Sequence, residues 1–340
     1  MPLSPAQGTD LIFPYVVCSE PLGYYTGITL ISLAEQGGDW VTLEAYDEDG
    51  NWLADHKVIL YARQKYVRLV DQLFDVASPE IIRSIRVHAP FPLTGFELFG
   101  SYVSPGVAGL PVALSVAASG GQDVSRSYPY QLVLSEIMPD EEYYTGVTVS
   151  NLGEAAVPFD ISLFGANGDL LSSRFWPEPV APGRQLTREI WNLAGSGVIP
   201  EAAWLEVSSP EAIQGFELYL SRTDPFRFDG LPGTTAGHRR LVFPHVPDPA
   251  QWVSMLNVTS PADEPVPVIL TAYSADGTVA GTAEEEVPPF GQHTFSLDTL
   301  FPAAAVAWLE VRAAEPVRGD LVTLAVDLSR MSGYGGVPME

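Results

Sequence analysis

The chain has 340 residues, 46% of them hydrophobic and 17% charged, a composition too apolar for a disordered protein and a length beyond one ordinary core. Its 42 acidic residues against 17 basic ones give a net charge of −25, spread through all three thirds of the sequence, which disfavours nucleic acid and anionic membranes as partners. Apolar runs are short and broken by Gly, Pro, Asp or Ser, so no transmembrane segment is expected.

Met1 to Pro5 carry neither the basic start nor the apolar stretch of a signal peptide, which fits a cytoplasmic protein and a processed secreted chain equally. Cys18 is the single cysteine, so no intrachain disulfide can form, and its apolar surroundings suit a small core residue.

In chain order, residues 11–17, 26–33, 40–47, 52–60, 66–69, 82–88 and 95–102 alternate apolar and polar with period two, which predicts about seven short strands. Asp49-Gly50 separates two of them and marks a tight hairpin, where glycine supplies a positive φ. Helical spacing is nowhere sustained, although Asp71 to Phe74 suits one short turn.

The same order of features then begins again. Leu11-Ile-Phe-Pro-Tyr-Val16 returns as Leu132-Val-Leu-Ser-Glu-Ile137 and as Leu241-Val-Phe-Pro-His-Val246. Asp49-Gly50 matches Asn167-Gly168 and Asp276-Gly277, and Leu73-Phe74 matches Ile190-Trp191 and Leu300-Phe301. Ile85 to Val87 matches Leu205 to Val207 and Leu309 to Val311; Gly95-Phe-Glu-Leu matches Gly215-Phe-Glu-Leu, with Gly319 in register. Each copy closes on Gly-apolar-Pro at Pro111, Pro232 and Pro338. Landmarks that drift so little indicate a duplicated folding unit.

The sequence therefore predicts an all-β protein of three modules, 1–111, 132–232 and 241–340, with linkers at 112–131 and 233–240. In the longer linker, Ser119-Gly120-Gly121 reads as flexible and residues 112–116 as an extra edge strand, which implies more freedom at this joint than at the other. Strands with one apolar face need a second layer, so each module reads as a two-sheet sandwich of immunoglobulin-like type, with a small closed barrel as the rival. Strand order is not legible from the alternation.

The Phe-Pro-Tyr/His-Val phrase, the Tyr or Trp with Thr or Ser that opens an alternating strand, the aromatic before Asp-Gly and the closing Gly-Leu/Val-Pro together resemble an uncharacterised tandem immunoglobulin-like β-sandwich repeat of secreted multidomain bacterial proteins. The resemblance covers nearly the whole chain. It implies a secreted or cell-surface protein and supplies no catalytic residues. The second copy departs from it at Leu134-Ser135 and the third at Ser260.

Candidate sites are few. The five histidines lie far apart, so no HExxH or comparable ligand set exists, and no Gly-x-Ser-x-Gly elbow occurs. Asp47, Asp49 and Asn51 begin as a calcium loop does, but Trp52 stands where its glycine is required and Val58 where its glutamate is. A hairpin turn explains these residues better than Ca²⁺, and no other cofactor is expected. Asp140-Glu141-Glu142 and Glu284-Glu285-Glu286 read as loop or edge-strand charge. Trp204 and Trp308 share a repeat position and suit packing, as does Trp191, whereas Trp40, Trp52 and Trp176 are freer and are the candidates for stacking on sugar rings.

These features favour a noncatalytic extracellular spacer, adhesion or interaction array with a protein or glycan partner. A carbohydrate-binding protein is the first alternative. The second is an enzyme whose carboxylates converge between modules.

Overall fold

The computed structural model describes residues 8–13, 15–18, 23–101, 107–111, 113–114, 130–138, 142–194, 199–223, 228–302, 306–326 and 331–339. The first third contains β1 (Gly8–Phe13), β2 (Tyr24–Ser32), β3 (Gly38–Tyr46), β4 (Trp52–Tyr61), β5 (Lys65–Leu69), β6 (Ser84–Ser101), β7 (Val107–Pro111) and β8 (Ala113–Leu114). The second contains β9 (Tyr130–Leu134), β10 (Tyr143–Asn151), β11 (Val157–Gly165), β12 (Leu170–Val180), β13 (Gln185–Glu189), α1 (Ile190–Ala194), β14 (Ala202–Ser209), β15 (Ile213–Ser221) and β16 (Phe228–Pro232). The third contains β17 (His238–Phe243), β18 (Trp252–Thr259), β19 (Val266–Tyr273), β20 (Val279–Val287), β21 (Gln292–Ser296), α2 (Leu297–Leu300), β22 (Trp308–Ala325), β23 (Met331–Gly335) and β24 (Val337–Pro338).

The protein is all-β and β-sandwich-like. In each repeat one sheet runs β4-β3-β6-β1, β12-β11-β14-β9 or β20-β19-β22-β17, and the other runs β5-β2-β6-β7, β13-β10-β15-β16 or β21-β18-β22-β23. We call these the first and second sheets. The burial of β11 alternates without a break along its length, with Val157, Phe159, Ile161 and Leu163 turned inward. The last strand returns to the first one at Leu11–Leu114 and at Leu241–Pro338, and a lone bridge, Val133–Thr234, does the same in the second repeat. The extra edge strand expected after residue 111 is β8, whereas Ser119-Gly120-Gly121 lies outside the described residues.

One strand differs from expectation. Residues 82–88 and 95–102 read as separate strands, yet β6 runs unbroken through both and serves both sheets. It pairs with β3 up to His88 and with β2 from Leu93, and Pro90 and Pro92 fall in the corner between these ladders. Pro316 holds the same place in β22, and Pro210 lies between β14 and β15. A proline has no N–H to give to a ladder, so it is tolerated where the strand leaves one sheet for the other.

Three buried clusters are drawn from residues 11–93, 132–213 and 241–321. Phe74, Trp191 and Phe301 are buried in them, Phe74 just after a 3-10 turn at Val70–Gln72, Trp191 within α1 and Phe301 at the end of α2, as their matching positions suggest. A smaller cluster of Tyr219, Leu231 and Val322 spans the second and third repeats.

Candidate functional site

The three unconstrained tryptophans part company. Trp40 and Trp52 are 55% and 56% exposed. Val41, Leu43 and Ala45 of β3 point inward, so Trp40 and Tyr46 point outward, and Trp52 joins them because it pairs with Tyr46. Trp40 pairs with Ile59, itself exposed, and Gly38 with exposed Tyr61, which makes a small apolar platform. Trp176 instead pairs with fully buried Phe159 and packs against the second core under the Arg174 guanidinium, while Phe175 takes the exposed face. A step of one residue along a strand exchanges its faces.

Trp204 is 1% exposed and stacks on Phe164, and Trp308 stacks on Tyr273 at 3.8 Å, as packing residues do. Asp47 is occupied by its own turn: Oδ1 accepts the backbone N–H of Asp49 and Asn51 at 2.9 and 2.8 Å, and Oδ2 accepts Asn51 Nδ2 at 3.0 Å. Among the described residues no three His, Cys, Asp or Glu side chains are grouped to hold a metal ion. The Glu284–Glu286 run lies on β20, an edge strand, where charge discourages further pairing.

Sequence reasoning missed the joints between repeats, where buried Asp229, Gln292 and Asp320 lie. Two turns build each joint. The hairpin turns at 47–51, 165–169 and 274–278 share one geometry, closed by Gly50, Gly168 and Gly277 donating N–H to Asp47, Gly165 and Ser274, with glycine φ of 77°, 88° and 84°. The crossing turns at 61–64, 181–184 and 288–291 lead from the first sheet to the second, and each places one residue at positive φ: Arg63 at 58°, Gly183 at 75° and Phe290 at 48°.

At both joints the hairpin turn of one repeat rests on the crossing turn of the next. Gln185 N–H reaches Glu48 O at 3.3 Å, and Gln292 N–H reaches Ala166 O at 2.9 Å. The contact is close enough to require glycine in the hairpin: a Cβ on Gly50 would lie 2.9 Å from the Gly183 carbonyl carbon, and one on Gly168 would lie 3.1 Å from that of Phe290. Arg184 Nε adds an ion pair to Asp49 across the first joint at 3.2 Å. β16 lies against β7 on one side and β23 on the other.

The surfaces beside these turns differ in chemistry. At the first joint Tyr15 and Phe216 meet with ring centroids 5.3 Å apart, and Gln185 Nε2 donates to Arg83 O at 3.0 Å. At the second joint Ser135 donates its hydroxyl to Asp320, Asn257 Nδ2 donates to Glu136, and Gln292 Nε2 donates to Ser135 O at 2.6 Å and Thr259 Oγ1 at 3.0 Å. Glu217 Oε1 accepts the Glu136 N–H at 2.9 Å. Asp229 accepts the N–H of Gly333 across the same joint. Glu97 holds the position of Glu217 in the first repeat, facing the Tyr15 backbone N–H.

Glu217 and Asp320 are 1% and 0% exposed, and Glu217 Oε2 and Asp320 Oδ1 have no hydrogen-bond partner among the described residues. Loss of water raises all these acids. It pushes Asp320 up to about 7 despite the Ser135 hydrogen bond, and Glu136 to about 8 with help from the Asp320 charge. Burial, then the charges of Asp320 and Glu136, hold Glu217 well above the ordinary glutamate range; burial alone does the same for Asp229. Beside them Glu206 and buried Arg318 face one another as opposite charges. The arrangement suits neutral or proton-sharing acids, because isolated buried carboxylates are costly to keep charged.

No protein-family model matches the chain, and no curated protein matches it either. Among solved structures it is similar to one described as the crystal structure of Thermotoga maritima 1070, 20% identical over 31% of this chain and 97% of that one, with a TM-score of 0.27. It is also similar to a putative beta-galactosidase from Bacteroides fragilis, 12% identical over 62% of this chain and 32% of that one, with a TM-score of 0.15. A viral chemokine binding protein encoded by rodent gammaherpesvirus Peru is 9% identical over 97% of this chain and 86% of that one, with a TM-score of 0.18. Similarity at this level carries no argument about function.

Proposed function

We propose that this chain is a noncatalytic array of three tandem immunoglobulin-like β-sandwich modules that serves as a spacer or presents its loops and sheet faces to a protein or glycan at a cell surface. The observation that supports this most is the repetition of one turn-on-turn contact at both joints, with glycine conserved between copies where the backbones approach. A repeated close contact fixes neighbouring modules, which a spacer requires. The cell-surface setting rests on the sequence resemblance.

An enzyme with a site between modules would need carboxylates from two repeats, and Glu136, Glu217 and Asp320 are such a set. A catalytic acid must reach its substrate, however, and Glu217 and Asp320 are sealed from solvent. The test is a panel of chromogenic glycosides, esters and peptides with the full chain. We expect no turnover, and turnover abolished by Glu217→Gln or Asp320→Asn would overturn the reading.

The outward platform of Trp40, Ile59 and Tyr61 favours a second reading, glycan binding. Trp40 and Trp52 lie on one face about six strand residues apart, roughly 20 Å, which suits an extended polymer rather than one sugar ring. A glycan array with and without calcium tests it, with loss of any captured glycan expected for Trp40→Ala.

A further inference from the structure

The two joints are built from matched surfaces, so each repeat carries one copy of each surface, and two copies meet no other repeat among the described residues. The third repeat keeps its hairpin turn: Gly277 has the φ of Gly50 and Gly168, yet a Cβ there would meet nothing within 4 Å. The first repeat keeps its crossing turn and the outer face of its second sheet. Register identifies that face. Ile31, Lys65 and Phe96 hold the positions of Ser150, Gln185 and Phe216 in the second repeat and of Thr259, Gln292 and Asp320 in the third.

Burial at these positions follows the presence of a preceding repeat. Ser150 and Thr259 are both 1% exposed, Gln185 and Gln292 both 7%, and Phe216 and Asp320 1% and 0%. Their counterparts in the first repeat are open: Lys65 is exposed, and Ile31 and Phe96 are partly exposed. This face is more apolar than its covered counterpart in the third repeat, the reverse of the polar outer face that closes a repeat array. The charges are also matched. Asp276 stands where Asp49 stands in the first joint, and the crossing turn it would meet carries Arg63 and Lys65 in place of the Arg184 that pairs with Asp49.

Resting on the array reading above, we infer that the third repeat of one chain docks on the first repeat of a second copy, with its 274–278 turn set against residues 61–65 and the Ile31–Phe96 face. The expected backbone contact is Lys65 N–H to the Ala275 carbonyl of the other copy, continuing the Gln185–Glu48 and Gln292–Ala166 series. Such a contact is head-to-tail, so it leaves one surface unused at each end and extends without closing.

Sedimentation velocity of the full chain between about 1 and 500 µM tests this, since mass action must drive any such association. The weight-average sedimentation coefficient should rise with concentration and pass the dimer value. Gly277→Asn keeps the turn, because asparagine tolerates positive φ, but fills the contact; Lys65→Glu reverses the charge at the other surface. Each variant alone should associate at least about tenfold more weakly. An equimolar mixture of the two retains one good surface of each kind and should stop at a heterodimer. A wild-type chain that stays monomeric, a closed dimer, or association untouched by both substitutions overturns the inference. A monomeric chain would leave the noncatalytic reading intact, because that reading fails only on turnover.

Discussion

Asp320 of the third repeat holds the strand position that Phe216 holds in the second: each follows the glycine, Gly319 or Gly215, that pairs with Val258 or Val149. Both face the preceding repeat, but Phe216 meets the Tyr15 ring whereas Asp320 takes the Ser135 hydroxyl. One joint geometry is thus lined by aromatic rings at its first occurrence and by acids and amides at its second.

The acids make the second joint sensitive to pH. Asp320 and Glu136, raised to about 7 and about 8, bind protons more tightly when folded than in the open chain. The stability they contribute is complete below the ordinary carboxylate pKa of about 4 and is lost as pH rises through the folded values. Hydrogen exchange at the Glu136 and Gln292 amides, corrected for the intrinsic rate, should show more protection at pH 5 than at pH 9. Asp320→Asn should flatten this difference; an unchanged profile would remove the acids from the joint's energetics.

Gln292 is buried and its Nε2 donates to Ser135 O and Thr259 Oγ1. Gln292→Ala should destabilise the protein by about 1–3 kcal/mol, because it leaves a buried carbonyl unpaired. Denaturant titration measures the loss, and the exposed counterpart Lys65→Ala should change stability by less than about 0.5 kcal/mol.

Glycine is needed in the hairpin turns for two separate reasons, and substitution separates them. Gly168→Asn and Gly277→Asn impose the same backbone demand, but only the first drives a side chain into the 288–291 turn. Gly168→Asn should lower the melting temperature by several degrees and Gly277→Asn by much less. Equal effects would mean that the close contact at the second joint contributes little.

The hairpin turns were legible because Asp-Gly and Asn-Gly recur with the strands around them, and the buried Phe74, Trp191 and Phe301 were legible because their order is kept. The crossing turns were not: Arg63, Gly183 and Phe290 adopt one conformation but share no chemistry that a sequence comparison would align. The corner at Pro90, Pro92 and Pro316 was not legible, because alternation shows where a strand runs but not that it passes from one ladder to another. The joint surfaces were hidden for a different reason. Tyr15 meets Phe216 at the first joint, whereas the matching Glu136 and Asp320 take Asn257 and Ser135 at the second, so the position is kept while the residue types are not.

The tryptophans offer an optical check on the exposed platform. Acrylamide should quench Trp40 and Trp52 strongly and Trp204 weakly, given their exposures of 55%, 56% and 1%. Trp40→Ala should remove part of the quenchable fluorescence while changing stability by less than about 0.5 kcal/mol, as expected of a surface substitution.

The central claim is that one joint geometry occurs twice, and spin labels at matched exposed positions test it most directly. Asp55, Ser173 and Thr282 are equivalent by register, since their partners Glu44, Ser162 and Thr271 pair in turn with Arg86, Glu206 and Glu310. With Cys18 replaced by alanine, the distance between labels at 55 and 173 should match that between labels at 173 and 282 to within about 3 Å, both with narrow distributions. Two clearly different distances, or a broad distribution at either joint, would contradict the account.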